Sequence, residues 1–129
     1  MTTKEDIFRP QAEFPLLEDY KKVFEITNKT IFAYDNKIYC DYPLTPDLVV
    51  HEYKHWEQQN EIGLDRWVEM YLTNNNFRLT MEIEAYRAQL LSIKDREVRN
   101  KVRLISARQL SSELYGNIIT KEDAFILLK

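Results

Sequence analysis

Residues 45–56 read TPDLVVHEYKHW, and the two histidines of the chain, His51 and His55, stand in this stretch four residues apart. Four residues make just over one helical turn, so on a helix both imidazoles leave the same face and can bind one tetrahedral metal ion. The apolar residues 48–50 and Trp56 flank the pair, which is typical of a helix that faces the core. Buried imidazoles need hydrogen bonds or a metal. The stretch therefore predicts a metal site on a buried helix.

The start of that helix is marked by side-chain chemistry. Thr45 is a suitable N-cap, Pro46 fits the first helical position, where its missing N–H costs nothing, and Asp47 complements the helix dipole. We expect the helix to run from Pro46 to about Asn60.

Glu52 directly follows the first histidine and completes an H-E-x-x-H pattern. On a helix its carboxylate lies beside a metal held by the two imidazoles, and not on it. From there it can take a proton from a water molecule at the metal and hand it to a leaving group. This is the general-base role that the pattern has in zinc peptidases. We therefore predict Glu52 as catalytic base and His51 and His55 as zinc ligands.

The third zinc ligand has to be a carboxylate. The sequence has no third histidine, so a site with three imidazoles is excluded. Glu82 and Glu84 lie in a strongly helical stretch that can pack antiparallel to the motif helix, but residues two apart on a helix point about 200° apart. Only one of them can face the metal, and periodicity alone does not choose. The acidic candidates downstream are Glu57, Glu61, Glu69, Glu82 and Glu84.

The residues before the motif predict a β-hairpin, and with the helices that follow they predict a mostly helical α+β fold. Residues 30–34 and 37–42 are rich in β-branched and aromatic side chains. They flank Asp35-Asn36, a two-residue turn signal. We expect this small antiparallel hairpin to pack near the motif helix.

Helical periodicity fills the chain downstream of the motif helix, in four segments. Thr120 and Asp123 have capping-box spacing at the start of the last segment, and the runs 74–76 and 115–117 break the pattern. Residues 16–27, near the amino end, fit helix and strand equally well. The predicted helices cover residues 64–72, 77 to about 94, 97–114 and 120–128.

Length and composition predict one globular domain spanning residues 1–129. The net charge is −3, and the basic residues between 96 and 108 alternate with acids and apolar positions. The sequence therefore indicates no basic patch of the kind that binds nucleic acid. No secretory signal opens the chain and no apolar run approaches membrane-spanning length, so we expect a cytoplasmic protein that enters no membrane. Cys40, the single cysteine, cannot form an internal disulfide and is predicted to pack in the hairpin, with a metal-ligand or latency role near the site as the alternative.

The run HEYKHWEQ at residues 51–58, followed by Glu82-Ile83-Glu84-Ala85 on a later helix, resembles gluzincins. These are thermolysin-like zinc metallopeptidases whose metal is held by two motif histidines and a downstream glutamate. More narrowly, the chain looks like the small, single-domain, minigluzincin-type proteins of bacterial and phage genomes. The likeness covers roughly residues 30–90.

The resemblance implies a role for each motif residue. Its E-x-x-A arrangement carries onto Glu82 and Ala85, which makes Glu82 the third ligand of one zinc ion per chain, beside His51 and His55. It also implies a zincin-like fold in which the hairpin offers a sheet edge to an extended peptide substrate. One position departs from the family pattern: Tyr86 stands where an acid often orients the first histidine, so that support has to come from its hydroxyl or from elsewhere.

The predicted activity is zinc-dependent hydrolysis of peptide bonds. An additional donor to the tetrahedral oxyanion is usual, and Tyr71, Tyr86 and Tyr115 are candidates by their chemistry. The alternative is a non-catalytic zinc-binding structural or interaction protein, which suits a chain with little length left for a substrate cleft. A helical interaction domain without metal is a further alternative.

Overall fold

A computed structural model describes residues 7–112 and 115–129 of the chain, and within these ranges it contains three short strands and six α-helices. The predicted α+β class, mostly helical with a small sheet, is confirmed. The strands are β1 (Phe8–Arg9), β2 (Phe32–Tyr34) and β3 (Lys37–Tyr39), and the helices are α1 (Leu17–Lys21), α2 (Pro46–Ile62), α3 (Leu64–Thr73), α4 (Asn75–Ser92), α5 (Arg96–Leu110) and α6 (Lys121–Leu127).

The sheet has the order β1–β3–β2, with β2 antiparallel and β1 parallel to the central strand. The predicted hairpin is confirmed, because Tyr34 pairs with Lys37 across a two-residue turn. Both turn residues, Asp35 and Asn36, have positive φ, 50° and 61°. Such angles match the type I′ turn, whose twist suits a hairpin. The strands are shorter than predicted, and β1 is a parallel partner that no local pattern indicates.

Helix α2, which carries the motif, begins at Pro46 as predicted, with Thr45 in extended conformation at the N-cap position. The Thr45 side chain makes no capping hydrogen bond. The helix continues past its predicted end to Ile62. It stops at Gly63, whose φ of +105° lies in the region that other residues rarely adopt.

Helix α2 faces the interior and buries both histidines, as predicted, but its buried face is polar and not apolar. The flanking residues 48–50 and Trp56 are only partly buried. Helix α2 packs mainly against α4 and β2, and α4 also buries charged and amide side chains, namely Arg78, Glu82 and Gln89. The buried residues of α2 are His51, Glu52, His55, Gln58 and Gln59.

The boundary between α3 and α4 is a single residue, Asn74. Its side-chain oxygen accepts a hydrogen bond of 3.0 Å from the Phe77 N–H, as an N-cap does. The predicted break at residues 74–76 is therefore too long, because two of its asparagines already belong to the helix that the first one caps.

Helices α5 and α6 differ from their predicted bounds of 97–114 and 120–128 at both ends, by one residue except at the end of α5. Helix α5 ends at Leu110, before the predicted end at residue 114, which lies outside the described residues. Helix α6 begins as the predicted cap requires, since the Thr120 hydroxyl oxygen accepts a hydrogen bond of 3.1 Å from the Asp123 N–H. The undecided residues 16–27 contain the short helix α1.

The buried polar residues of α2 and α4 form a polar layer between the two helices, and a hydrophobic core lies on each side of it. One is aromatic and formed by residues near the amino end and the sheet, with Tyr71 of α3 packed against it. The other joins the carboxyl end of α4 to α5 and α6, with Tyr86 packed against it. Among the described residues, no helix has the length and apolar character needed to cross a membrane. The buried members of the cores are Phe14, Tyr20, Phe32 and Tyr39 in the first, and Leu90, Ala107, Leu110, Tyr115, Ala124 and Leu128 in the second.

Candidate metal centre

Three side chains that can bind a metal ion converge in the polar layer. The Nε2 atoms of His51 and His55 lie 2.9 and 3.2 Å from the same carboxylate oxygen, Oε1 of Glu82. All three residues are buried, and their ligand atoms lie within 4.8 Å of one another. The histidines come from successive turns of α2 and the glutamate from the facing helix α4, so helix packing creates the group. His51, His55 and Glu82 can therefore hold a metal ion.

A glutamine fixes the orientation of His51. The Gln89 amide nitrogen donates a hydrogen bond of 2.7 Å to the Asp47 carboxylate, so its amide oxygen is the atom that faces His51. That oxygen lies 2.9 Å from Nδ1 of the ring. Because a carbonyl oxygen can only accept, His51 carries its proton on Nδ1 and leaves the Nε2 lone pair toward Glu82.

A second glutamine does the same for His55. The amide nitrogen of Gln58 donates to the Met81 carbonyl at 3.0 Å and to the Glu84 carboxylate at 3.2 Å. Its oxygen accepts from the Trp67 indole N–H at 3.3 Å and lies 3.0 Å from Nδ1 of His55. The second imidazole is thus held in the same tautomer as the first, with Nε2 free to bind.

The convergence of these atoms requires a positive charge. Two imidazole lone pairs and a carboxylate oxygen repel one another at such distances unless a cation lies among them. A metal ion supplies that charge, and a proton on one ring is the other way to supply it. With a metal ion the group is a metal centre. With a proton it is a set of hydrogen bonds that joins two helices.

Electrostatics favour a cation at this point. Burial acts to lower the pKa of His55, but the Glu82 carboxylate outweighs it and raises that pKa to about 9. Burial acts to raise the pKa of Glu82, but the imidazoles outweigh it and bring that pKa well below its usual range. A metal ion binds the deprotonated forms of both ligands and so displaces the proton.

Tyr71 orients the third ligand. Its hydroxyl donates a hydrogen bond to Oε2 of Glu82, which leaves Oε1 to face the two imidazoles. Burial raises the pKa of Tyr71 well above its usual value, so the phenol stays protonated and remains a donor. This contact gives Tyr71 a place beside the ligand, whereas the sequence predicts it only as a candidate donor to an oxyanion.

Glu52 lies beside the ligand group without belonging to it. Its side chain is buried, and Oε2 is 3.9 Å from Nε2 of His51. Burial raises the pKa of Glu52, although the charges of His51 and His55 act against the rise. A raised pKa makes this carboxylate a better proton acceptor than an ordinary surface glutamate, and it lies next to the metal site.

The ligand group opens into a cleft of about 430 Å³, which residues 30–33 of the hairpin also line. The three tyrosines predicted as oxyanion donors all line this cleft. The ring of Tyr86 packs edge-on against His51 with centroids 4.5 Å apart, and Tyr115 is 3% exposed. The sequence leaves open which group orients the His51 ring, because Tyr86 stands where an acid often does. In the structure, Gln89 takes this role.

The other predicted candidates lie away from the ligand atoms. Glu84, the alternative ligand, is exposed and accepts a hydrogen bond from Gln58 instead. Cys40 is half-buried beside β3, where its N–H donates to the Arg9 carbonyl at 2.9 Å. The remaining acidic candidates, Glu57, Glu61 and Glu69, are exposed.

Gln58, Gln89 and Asp47 are the parts of the site that sequence reasoning missed. Each stands at helical spacing from a ligand: Gln58 three residues after His55, Gln89 seven residues after Glu82, and Asp47 four residues before His51. Spacings of three, four and seven residues place side chains on one helix face. A search for amide and carboxylate side chains at these spacings is the signal that finds them.

Comparison of the chain with models of protein families, with curated proteins and with solved structures found no match. The assignment of a function therefore rests on the geometry of the site.

Proposed function

We propose that this protein is a zinc-dependent metallopeptidase of the gluzincin type, with zinc held by His51, His55 and Glu82. One observation carries the proposal: both imidazoles are held by glutamines in the tautomer that turns Nε2 toward Glu82. A pair of helices that needed only hydrogen bonds would have no use for two fixed lone pairs facing a carboxylate.

The donor set fits a catalytic zinc ion. Imidazole nitrogen and carboxylate oxygen are ordinary zinc donors, and three protein ligands leave the fourth tetrahedral position for water or substrate. Structural zinc sites are closed by four protein ligands, often cysteines. Among the described residues the group has three members, and the cleft beside it is lined by residues of the hairpin and of α2 and α4.

The proposed reaction uses residues already in place. When bound, zinc supplies Lewis acidity, which lowers the pKa of a water molecule and polarises a carbonyl group. Glu52 accepts the proton of the attacking water and passes it to the departing amine. Tyr86 and Tyr115 stay protonated, because burial raises the pKa of both, and so offer donors at the cleft wall.

The test is the substitution Glu52→Gln. It removes the proton acceptor and keeps the size of the side chain, so zinc content and fold should be retained while peptide hydrolysis falls by roughly a hundred- to ten-thousandfold. Hydrolysis is measured on a diverse peptide mixture by mass spectrometry, and zinc by metal analysis of the same samples. Equal cleavage by both proteins would mean that the activity belongs to a contaminant or to another mechanism.

A non-catalytic zinc protein is the second candidate, and the origin of the ligands favours it. The ligands come from two helices that pack mainly on each other, so a metal ion would tie α2 to α4. In that case the wild type would bind one zinc ion and become more stable, yet cleave nothing in the same peptide mixture.

A further inference from the structure

The outer edge of β2 is where an extended peptide can join the sheet, since β2 ends the strand order β1–β3–β2. Tyr34 and Lys37 adjoin the two-residue turn, so they form a hydrogen-bonded pair. Such pairs alternate along an antiparallel hairpin, so Ala33 turns its N–H and C=O away from β3 and toward the open edge.

Gln59 of α2 already occupies this edge. Its amide nitrogen donates a hydrogen bond of 2.7 Å to the Ala33 carbonyl, and its amide oxygen accepts one of 3.3 Å from the Asp35 N–H. The side chain is 2% exposed. A carboxamide has the same donor and acceptor as a peptide unit, so Gln59 takes the place of one residue of an added strand.

The hydrogen bonds of Gln59 close the edge of β2 on one side of the metal ligands only. His51, His55 and Gln59 are spaced four residues apart and share one face of α2, which puts Gln59 about 6 Å beyond His55 along the helix. In the other direction, residues 30–33 line the same cleft as His51 and Glu52. By the same alternation, the Ala33 N–H and the backbone of Ile31, just before β2, face away from β3 on the cleft side, where a peptide can pair with them. The Ala33 carbonyl, toward the turn, is already taken by Gln59.

We infer that a peptide substrate pairs with β2 on one side of the metal only, and that Gln59 is the residue that sets this limit. The inference rests on the proposed function. Antiparallel addition, the more stable pairing, runs the substrate opposite to β2, from the Gln59 end toward residue 30. Residues on the carboxyl side of the scissile bond then pair with the sheet edge, and residues on the amino side do not. The substrate class is a peptide recognised through the backbone that follows the cleaved bond.

Two series of alanine hydroxamates test this on the zinc-loaded protein, because a hydroxamate binds zinc whether or not the protein is an active enzyme. One series carries one to three alanines on the amino side of the hydroxamate, and the other carries them on the carboxyl side. Affinity, measured by titration calorimetry, should rise about two- to tenfold for each of the first residues added on the carboxyl side and stay level on the amino side. Equal gains in both series, or gains on the amino side alone, would overturn the inference.

The substitution Gln59→Ala gives a second test. It frees the Ala33 carbonyl, so the amino-side series should begin to gain affinity while zinc affinity stays unchanged. Asn60→Ala is the matched control, since Asn60 is the exposed neighbour on the same helix and should leave both series as they are. If Gln59→Ala folds and leaves the amino-side series level, Gln59 does not set the limit; if it does not fold, the wild-type series decide alone.

Failure of the inference and failure of the proposed function give different results. A zinc-loaded protein that binds neither series and cleaves no peptide contradicts the proposed function, and the inference falls with it. A protein that cleaves peptides but gains equally from both series keeps its function and loses the inference alone.

Discussion

The interior between α2 and α4 and the interior between α5 and α6 are built from opposite kinds of side chain. In the first, the buried residues are mostly imidazoles, carboxylates and amides; in the second they are apolar or aromatic, apart from Ser106. Among the described residues, no buried side-chain nitrogen or oxygen lacks a hydrogen-bond partner. The atoms of the polar interior that are wholly shut off from solvent are thus hydrogen-bonded, as burial of polar groups requires.

This difference separates the source of stability from the source of chemistry. Burying apolar area is the main favourable contribution to folding, whereas a buried polar network that is fully bonded contributes little net stability and is costly when broken. We therefore expect the C-terminal core to stabilise the fold, and the α2–α4 layer to hold a cation.

Truncation of the apolar core should have the largest effect on stability. Leu110 is fully buried between α5 and α6, so Leu110→Ala should lower the free energy of unfolding by about 2–5 kcal/mol. Metal affinity of the folded fraction should stay within a few-fold of wild type. Ile105→Ala, at a position 54% exposed on the same helix, is the control and should cost less than about 1 kcal/mol. Chemical denaturation measures both.

The stability of chelator-treated protein should depend on pH through the polar layer. The pKa of His55 in the folded protein is about 9, above the ordinary value of 6.5. A raised pKa contributes stability that is fully present below about pH 6.5 and is lost as the pH rises through about 9. The loss should reach a few kcal/mol, since one pKa unit corresponds to about 1.4 kcal/mol.

Two comparisons check the origin of this pH dependence. His55→Gln should remove the loss of stability between pH 6.5 and 9. Zinc-loaded wild type should not show it either, because zinc binds the neutral ring. At the acid end the sign reverses: the lowered pKa of Glu82 contributes stability that disappears as the pH falls through that pKa, below its ordinary value of 4.5. A chelator-treated protein with level stability across pH 6.5–9 would contradict the coupling of His55 to Glu82.

The two glutamates of α4 should differ in their effect on metal affinity. Glu82→Gln should weaken zinc binding at least tenfold, because the amide removes the charge and a ligand atom. Glu84→Gln should leave affinity within a few-fold, since Glu84 is exposed and reaches the site only through Gln58. Competition with a coloured chelator measures both. The reverse ranking would mean that α4 is rotated relative to the structure described here.

The smallest effect should come from the glutamine behind His51. Gln89→Leu removes the acceptor that holds Nδ1, so the ring can turn or change tautomer, and zinc affinity should fall about tenfold. Gln109→Leu, an exposed position on the cleft wall, is the matched control. Equal affinities in all three proteins would show that the imidazoles are held by packing alone.

The sequence predicted the elements that depend on local chemistry. Pro46 begins its helix, Asp35-Asn36 forms its turn and Thr120 caps its helix, because each depends on residues within one turn of the chain. Family likeness, and not periodicity, favours Glu82 over Glu84, and the structure places Glu82 with the histidines.

The unpredicted features depend on pairs distant in sequence. Strand β1 pairs with a strand about 30 residues later, and Gln89 meets His51 only after α4 packs on α2. A hydrophobic pattern assigns polar residues such as Gln58 and Gln59 to the surface, so it predicts burial of the apolar residues beside the histidines and not of these amides. Hydrophobicity does not mark them as buried; for Gln58, the spacing of three residues from His55 is the local signal.

Metal content tests the central claim most directly: a bound metal ion, and not a proton, supplies the charge among His51, His55 and Glu82. The protein is purified without added zinc and analysed for metals beside a His51→Ala variant. We expect about one zinc ion per wild-type chain, and much less in the variant. Chelator-treated wild type should take up one equivalent and gain stability. A wild type that carries no metal and takes up none on titration, or one that matches the variant, would contradict the claim and leave a protonated histidine pair in its place.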